Sequence, residues 1–373
     1  MLILEGARTP FATWAPGVNG KGGKGGALRR LDPFDLGAIA LKKALERAGL
    51  PPSALDKIIF GNMYQVGPHA CYGARYVASR AGVPPQVPCV TVNFACGTGL
   101  QALMASAQDI ESGNSNIVGT GGSDNASLVA RNIFIPSFVD LSCAEPIGKT
   151  AQDMAQDYGL SRKEQDAWAL QSHERARQAQ KAGIYEEEIA PAGNIKEDDY
   201  ILENPNQDFF ALAKPLYGQG SLTGANTHGI VDGASALILA SQVQASKSSC
   251  RPLGRYLAGA LVGVEPRRMA YASVCAIKQV LEVLRLKASD FDLFEINETF
   301  AAQVLIDIRE LRLPQENVNV NGGALALGHP FAGTGCRLAL TLLQELRRHS
   351  LRRGIASICV GGGQGVAVAV EAL

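Results

Sequence analysis

The sequence lacks several features that would assign the protein to a familiar class. Its 373 residues include 35 basic and 35 acidic side chains, so no net charge attracts nucleic acid or an anionic membrane. No apolar run reaches the roughly 18 residues of a transmembrane helix. The chain opens without a basic region before a long apolar run, so we expect no secretory signal. We therefore predict no nucleic acid partner and no membrane association.

The eight cysteines also lack informative spacing. No pair is separated as C-x-x-C, and no His/Cys cluster has the spacing of metal ligands, so we expect no metal site. Unpaired thiols are typical of a reducing compartment, which favours the cytoplasm. The cysteines should then be free, and one or two of them are candidates for catalysis.

Length and composition indicate a large α/β protein. Apolar residues make up 46% of the chain and charged residues only 19%, which allows two or three packed subdomains. Residues 21–26 are rich in glycine but lack the Gly-Lys-Ser/Thr ending of a phosphate loop, so they indicate a flexible loop. A capping box of Ser161 and Glu164 predicts the start of a long polar helix that ends before Gly183.

One short stretch, residues 92–101, has the pattern of a catalytic turn. An apolar, β-branched run precedes it and a helical pattern follows, so Cys96 falls at a strand-to-helix turn. Gly97 and Gly99 allow the backbone to bend tightly there. The positive end of the following helix would favour the thiolate form of Cys96. The alternative is a small buried cysteine at a packed turn.

Three later motifs connect this turn to a known family. They are Asn297-Glu298-Thr299-Phe300-Ala301-Ala302, Gly328-His329-Pro330-Phe331-Ala332-Gly333-Thr334-Gly335 and Cys359-Val360-Gly361-Gly362-Gly363-Gln364-Gly365. With the turn at Cys96, they occur in the order found in the thiolases, which make or cleave 3-ketoacyl coenzyme A. The chain resembles this family over nearly its full length.

The resemblance implies a thiolase fold: two duplicated α/β halves in a layered αβαβα arrangement, plus an inserted loop domain. We expect an N-terminal half at 1–117, completed by 229–248, and a C-terminal half at 249–373. The loop domain at 118–228 would cover coenzyme A. A faint internal repeat supports the duplication, because residues 318–335 echo residues 90–99. Residues 229–240 are expected to hold a helix and then a strand.

The resemblance also implies catalytic roles. Cys96 would be the nucleophile that is acylated, His329 the base, and Cys359 the group that removes the α-proton of acetyl coenzyme A. One oxyanion hole would use His329 and a water held by Asn297, and the other the backbone N–H groups of Cys96 and Gly361. Coenzyme A is then a substrate, and we expect no cofactor.

Each polar candidate also has a structural alternative. His329 could be a packing histidine in a rigid turn, and Asn297 a polar cap at the end of a strand. The chain has only five histidines, and three of them occupy ordinary loop or helix contexts: His69, His173 and His349.

The expected contacts with coenzyme A follow from position in the family pattern. Ile147 opens a segment that resembles the family's Met-Gly-x-Thr-Ala, and Lys214 stands where a basic residue meets the nucleotide. Met269 and Phe300 would line the pantetheine tunnel. His228 replaces a serine that touches the pantetheine, although it could also be a loop residue that faces solvent.

Several substrate loops depart from the family pattern. Asp124 lies in an altered segment after Gly121-Gly122, and Tyr271 lies where Met-Gly-x-Gly-Pro is usual. Because Cys96, His329 and Cys359 are intact, these changes affect the expected acyl-chain preference rather than the reaction type.

The predicted function is transfer of an acyl group between coenzyme A thioesters by a ping-pong Claisen mechanism. A ketoacyl synthase is one alternative, but Cys359 and Asn297 argue against it. A catalytically silent protein that binds acyl coenzyme A or lipid is another. We expect a homodimer, with a homotetramer as the alternative. The dimer is favoured because the segment from Gly122 to Gly148 is shorter than in tetrameric relatives.

Overall fold

The computed structural model describes residues 1–15, 25–65, 67, 70–248 and 250–373. Residues 21–24 of the predicted glycine-rich loop, and His69, lie outside these ranges. The strands are β1 Leu2–Arg8, β2 Ala12–Thr13, β3 Lys57–Gly61, β4 Cys89–Val92, β5 Ile117–Asp124, β6 Val139–Asp140, β7 Glu145–Pro146, β8 Val231–Ala240, β9 Gly254–Gly263, β10 Leu293–Ile296, β11 Arg353–Val360 and β12 Gln364–Ala372.

The α-helices alternate with these strands for most of the chain. They are α1 Pro33–Arg47, α2 Gly73–Arg80, α3 Thr98–Glu111, α4 Arg131–Phe134, α5 Ile147–Asp157, α6 Arg162–Lys181, α7 Gln207–Ala211, α8 Gln242–Ala245, α9 Ala272–Leu284, α10 Ala301–Leu311, α11 Ala324–Leu327 and α12 Thr334–Arg348. In the described parts of the chain, none of these helices combines the length and apolar character needed to cross a membrane.

The strand order repeats between the two halves of the chain. The main sheet runs β10-β11-β12-β9-β1-β8-β5-β3-β4. In the first half β3 and β5 are parallel, and β5, β8 and β1 pair antiparallel in turn. In the second half β10 and β11 are parallel, and β11, β12 and β9 pair antiparallel in turn. The predicted duplication is therefore confirmed, and the halves join where Leu2 and Ile3 pair with Arg255 and Gly254.

The helices form three layers around the two halves of the sheet. Helices α1 and α2 pack on the outer face of the first half, and α9 packs on the outer face of the second. Helices α3 and α12 lie between the halves, because each contacts strands of both and the two contact each other. This is the predicted αβαβα arrangement.

The two central helices meet at a pair of glycines. A Cβ atom on Gly335 would lie 2.1 Å from the backbone nitrogen of Leu100, and one on Gly99 would lie 2.8 Å from the backbone nitrogen of Gly335. Backbone atoms cannot move aside as a flexible side chain can, so only glycine allows this close approach. The contact brings the first turns of α3 and α12 together.

The local predictions were correct for α6 and wrong for residues 229–240. Ser161 caps α6, its capping box with Glu164 is formed, and Gly183 has a φ of +73° just after the helix. Residues 231–240 form the single strand β8, and all of them are buried. Burial of both faces removes the alternation of apolar and polar residues that identifies a strand. Strand β5 spans residue 118, the predicted boundary between the N-terminal half and the loop domain.

Gly335→Ala should destabilise the protein by roughly 1–3 kcal/mol, because its methyl group would overlap the backbone of α3. Gly263→Ala is the matched control, since a Cβ there meets no atom within 4 Å. The measurement is the free energy of unfolding in urea. Equal stability of the two variants would contradict the close packing at Gly335.

Candidate active site

Cys96 lies in a strained turn between β4 and α3. The preceding residue, Ala95, has a φ of +43°, which is uncommon for a residue with a side chain. Thr98 stabilises the turn, because its hydroxyl donates to the carbonyl of Ala95 at 2.6 Å and accepts from the N–H of Phe94 at 2.8 Å. Strain held in place by such contacts is a frequent property of functional turns.

The surroundings of Cys96 favour the thiol over the thiolate. Burial raises the pKa of Cys96 to about 12, and the nearby carboxylate of Asp124 acts in the same direction. The backbone N–H groups of Cys96 and Gly361 lower this pKa but do not outweigh burial. The prediction of a resting thiolate, based on the helix dipole, was therefore wrong, and Cys96 needs a base.

His329 is held in an orientation that leaves one ring nitrogen free. Its backbone N–H donates to the carbonyl of Gly229 at 2.9 Å, and its Nδ1 hydrogen-bonds with the hydroxyl of Thr334 at 2.6 Å. Its Nε2 is buried and has no hydrogen-bond partner among the described residues. Burial, followed by the charges of His228 and Arg337, holds the pKa of His329 well below its ordinary value. The ring is therefore neutral at physiological pH.

Cys359 and Asn297 meet at a third side chain, Thr299. Cys359 lies near the end of β11, and its Sγ donates to Thr299 Oγ1 at 3.2 Å. Asn297 follows β10, and its Nδ2 donates to the same oxygen at 3.0 Å. The Oδ1 atom of Asn297 is buried without a partner among the described residues. Burial raises the pKa of Cys359, the hydroxyl of Thr299 lowers it, and the carboxyl group of Asp307 raises it further.

The five predicted catalytic residues lie around one region. The N–H of Gly361 acts on the sulfur of Cys96, and Cys96 lies near enough to Cys359 to influence the pKa of Cys359. Cys96 packs against an apolar cluster that includes Phe331, and the ring centroid of Phe331 is 5.1 Å from that of His329. The structure thus places a thiol, a neutral imidazole, a second thiol and backbone donors near one another.

The residues predicted to contact coenzyme A occupy two environments. Met269 and Phe300 are 1% and 2% exposed and share an apolar cluster with Cys359, against which Ile147 packs. Lys214 is exposed and lines a cavity of about 550 Å³ together with His173. This cavity does not include the catalytic residues, so it is a separate surface pocket.

His228 lies inside the protein, beside His329. It is 9% exposed, and its ring meets the ring of His329 edge-on with centroids 4.9 Å apart. Its Nδ1 lies 3.0 Å from the carbonyl oxygen of Gly229. Because a carbonyl can only accept, Nδ1 carries the proton in the neutral ring and Nε2 is an acceptor. The alternative of a loop residue that faces solvent was wrong.

Sequence reasoning did not identify the roles of Thr299 and Asp124. Thr299 lies within the Asn297–Ala302 motif, but the motif does not show that its hydroxyl joins two catalytic side chains. Asp124 accepts hydrogen bonds from Tyr64 N and Ala332 N at 2.9 Å each. Burial raises the pKa of Asp124 to about 7. It therefore links the first half of the chain to the turn before α12.

Two family models together cover almost the whole chain. The model described as "Thiolase, N-terminal domain" matches residues 2–133 and 126–243, and the model described as "Thiolase, C-terminal domain" matches residues 250–372. An acetyl-CoA acetyltransferase of Cupriavidus necator is 36% identical over 399 aligned positions, covering 100% of this chain and 99% of the relative. A probable acetyl-CoA acyltransferase of Staphylococcus aureus is 36% identical and covers 93% of this chain and 95% of its own.

Solved structures give the same result. Human mitochondrial 3-ketoacyl-CoA thiolase superposes with a TM-score of 0.94 at 32% identity, covering 100% of this chain and 98% of that protein, and a structure of it in complex with CoA matches equally well. The acetyl-CoA acetyltransferase of Bacillus anthracis superposes with a TM-score of 0.93 at 33% identity, with the same coverage. Sequence and structure agree over the full length, and the chain belongs to the thiolase family.

Proposed function

We propose that Cys96, His329, Asn297 and Cys359 carry the acyl transfer between coenzyme A thioesters that defines this family. The observation that supports this most directly is the environment of Cys96. Its sulfur faces the backbone N–H of Gly361 and lies near a second thiol, and the neighbouring imidazole has a free nitrogen. A protein that only binds acyl coenzyme A has no use for this combination.

The first step is acylation of Cys96. His329 Nε2 takes the thiol proton as the sulfur attacks the thioester carbonyl, which is the role of a neutral base. The backbone N–H groups of Cys96 and Gly361 stabilise the oxyanion, because fixed donors in a buried site need no reorganisation. The thioester C–S bond then breaks, and protonated His329 gives the proton it took from Cys96 to the sulfur of coenzyme A, which leaves as a thiol.

The second step forms the carbon–carbon bond. Cys359 first loses its proton to solvent, and its thiolate then removes an α-proton from a second acetyl coenzyme A. A C–H bond breaks, an S–H bond forms and the electron pair becomes an enolate. His329 and a water held by Asn297 would stabilise the enolate oxygen. The enolate attacks the acyl group on Cys96 and releases that sulfur. Thiolysis of a 3-ketoacyl thioester is the reverse sequence.

Coenzyme A is proposed to bind both at the buried apolar cluster beside Cys359 and at the exposed cavity beside Lys214. Ile147, Met269 and Phe300 would flank the pantetheine near Cys359, and the buried Nε2 of His228 would accept a hydrogen bond from an amide N–H of the pantetheine. Lys214, at its exposed cavity, would meet a phosphate of the nucleotide. Within the predicted range 118–228, the loop domain over coenzyme A would begin after β5 ends at Asp124.

We further propose a homodimer located in the cytoplasm. Strand β4 ends the main sheet, and Val90 on it is 44% exposed, so this edge offers unpaired backbone groups and an apolar side chain to a second copy. All eight cysteines are free in the structure, which supports a reducing compartment.

Cys96→Ala should abolish acyl-enzyme formation and turnover, because no other group in the site would accept the acyl chain. Mass spectrometry after incubation with acetyl coenzyme A should find the acetyl group on Cys96 in the unchanged protein. Cys359→Ser is the matched variant: it should still be acetylated on Cys96 but should lose condensation activity. Acetylation of Cys359 alone would contradict the assigned roles.

Alkylation of Cys96 by iodoacetamide should accelerate steadily with pH from 7 to 9.5. Only the thiolate reacts, and a thiol whose pKa is raised to about 12 ionises progressively over this whole interval. The label is quantified by peptide mass spectrometry, with exposed Cys71 as a reference in the same sample. A rate that levels off near pH 7 would show a resting thiolate instead.

The protein should have twice the 39.3 kDa mass of one chain when measured by light scattering at micromolar concentration. Val90→Lys should shift it towards the monomer, because a charge would be placed in the proposed interface. Val283→Lys, at a residue that is 59% exposed on α9, should leave the mass unchanged. A stable monomer of the unchanged protein would exclude the proposed dimer.

A further inference from the structure

Thr299 contacts two of the proposed catalytic side chains at once. It is 2% exposed, and its single hydroxyl oxygen accepts from Asn297 Nδ2 at 3.0 Å and from Cys359 Sγ at 3.2 Å. The amide nitrogen of Asn297 is thereby turned towards Thr299, which leaves its Oδ1 free on the opposite side. One hydroxyl therefore sets the geometry of both groups.

A hydroxyl suits this position because Cys359 must change its protonation state. While Cys359 is a thiol, its S–H donates to Thr299. When Cys359 is a thiolate, the direction reverses and the hydroxyl of Thr299 donates to the sulfur, while its oxygen still accepts from Asn297. A hydrogen bond to a charged group is stronger than one between neutral groups, so this contact stabilises the thiolate relative to the thiol.

A series of buried hydrogen bonds holds the backbone of Thr299 in place. Its backbone N–H donates to Gln303 Oε1 at 3.1 Å, and Gln303 Nε2 donates to the carboxyl group of Asp307. The hydroxyl of Ser273 pairs with the other oxygen of that carboxyl group at 2.7 Å.

Asp307 orients the amide of Gln303. Burial raises the pKa of Asp307 to about 8, and the hydroxyl of Ser273 donates to one of its carboxyl oxygens. The other oxygen can only accept, which requires the NH₂ group of Gln303 to face it. The oxygen of Gln303 must then face the backbone of Thr299. Asp307 thus determines the orientation of Thr299 through the side chain of Gln303.

We propose that Thr299 is a positioning residue for carbon–carbon bond formation, held by Gln303 and Asp307. It keeps Asn297 aimed at the site and stabilises Cys359 when that sulfur is ready to accept the α-proton. The inference rests on the proposed function, because it assigns Cys359 to the condensation step. It assigns no role to Thr299 in the acylation of Cys96.

The test is Thr299→Val, which retains the shape of the side chain and removes the hydroxyl. We expect kcat for condensation to fall about 10- to 100-fold, the usual effect of losing a hydrogen bond to a charged group. Acetylation of Cys96 should stay within about twofold of the unchanged enzyme. The rising limb of the pH–rate profile should move to higher pH, because without the donor the thiolate of Cys359 forms less readily. Thr299→Ser should restore both the rate and the profile.

Thr341→Val is the matched control. Thr341 is equally buried, at 2%, and its hydroxyl donates to Glu188 at 2.7 Å, remote from both cysteines. Its loss should lower stability without changing the ratio of condensation to acylation. If Thr299→Val does not fold, Gln303→Met gives the second test, since it removes the acceptor of the Thr299 backbone N–H and adds or removes no charge near Cys359. It should lower condensation selectively.

Two outcomes would overturn the inference. One is an equal loss of acylation and condensation in Thr299→Val, and the other is unchanged kinetics. Cys359→Ser distinguishes this failure from failure of the proposed function. If Cys359→Ser separates the two steps and Thr299→Val does not, only the role of Thr299 is wrong.

Discussion

The contact between Gly99 and Gly335 is the constraint on which the site depends. It allows the first turns of α3 and α12 to touch, and each helix is preceded by a turn that contains a residue with a φ of +43°, Ala95 in one and Phe331 in the other. Cys96 directly follows Ala95 in the first of these turns, and His329 lies two residues before Phe331. A side chain at the helix crossing would push these two helices apart and so separate Cys96 from His329, the proposed nucleophile and base.

Burial gives both reacting groups their neutral forms. It favours the thiol of Cys96 and the uncharged ring of His329 by the same physical cause, the cost of placing a charge where water is excluded. Charge then appears only when a substrate supplies a carbonyl oxygen for the N–H donors to stabilise. This arrangement protects a thiol that would otherwise react with oxidants or other electrophiles, and it makes the reactivity of Cys96 depend on bound thioester.

The sequence predicted those features that are determined by neighbouring residues. The capping box of Ser161 and Glu164, the turn at Cys96 and the repeat of the two halves all have short-range signals. The ionisation of Cys96 did not, because its pKa is raised mainly by burial, which depends on the packed fold, and then by Asp124 on β5. The nature of β8 was also missed, since burial on both faces depends on which layers cover it. Thr299 was visible in a motif, but its contacts with Asn297 and Cys359 required the packed structure.

The repeated strand order has a consequence for how this protein could have changed over time. An ancestral pair of identical halves would have held two equivalent turns, one in each copy. Here the first turn has Cys96 where the second has Ala332, whose N–H binds Asp124. Asn297, His329 and Cys359 all belong to the second half. Neither half retains a complete set of reacting groups, so the duplication has lost its redundancy. The proposed site draws on both halves, so a change in how the halves dock would alter activity as directly as a change in the side chains themselves.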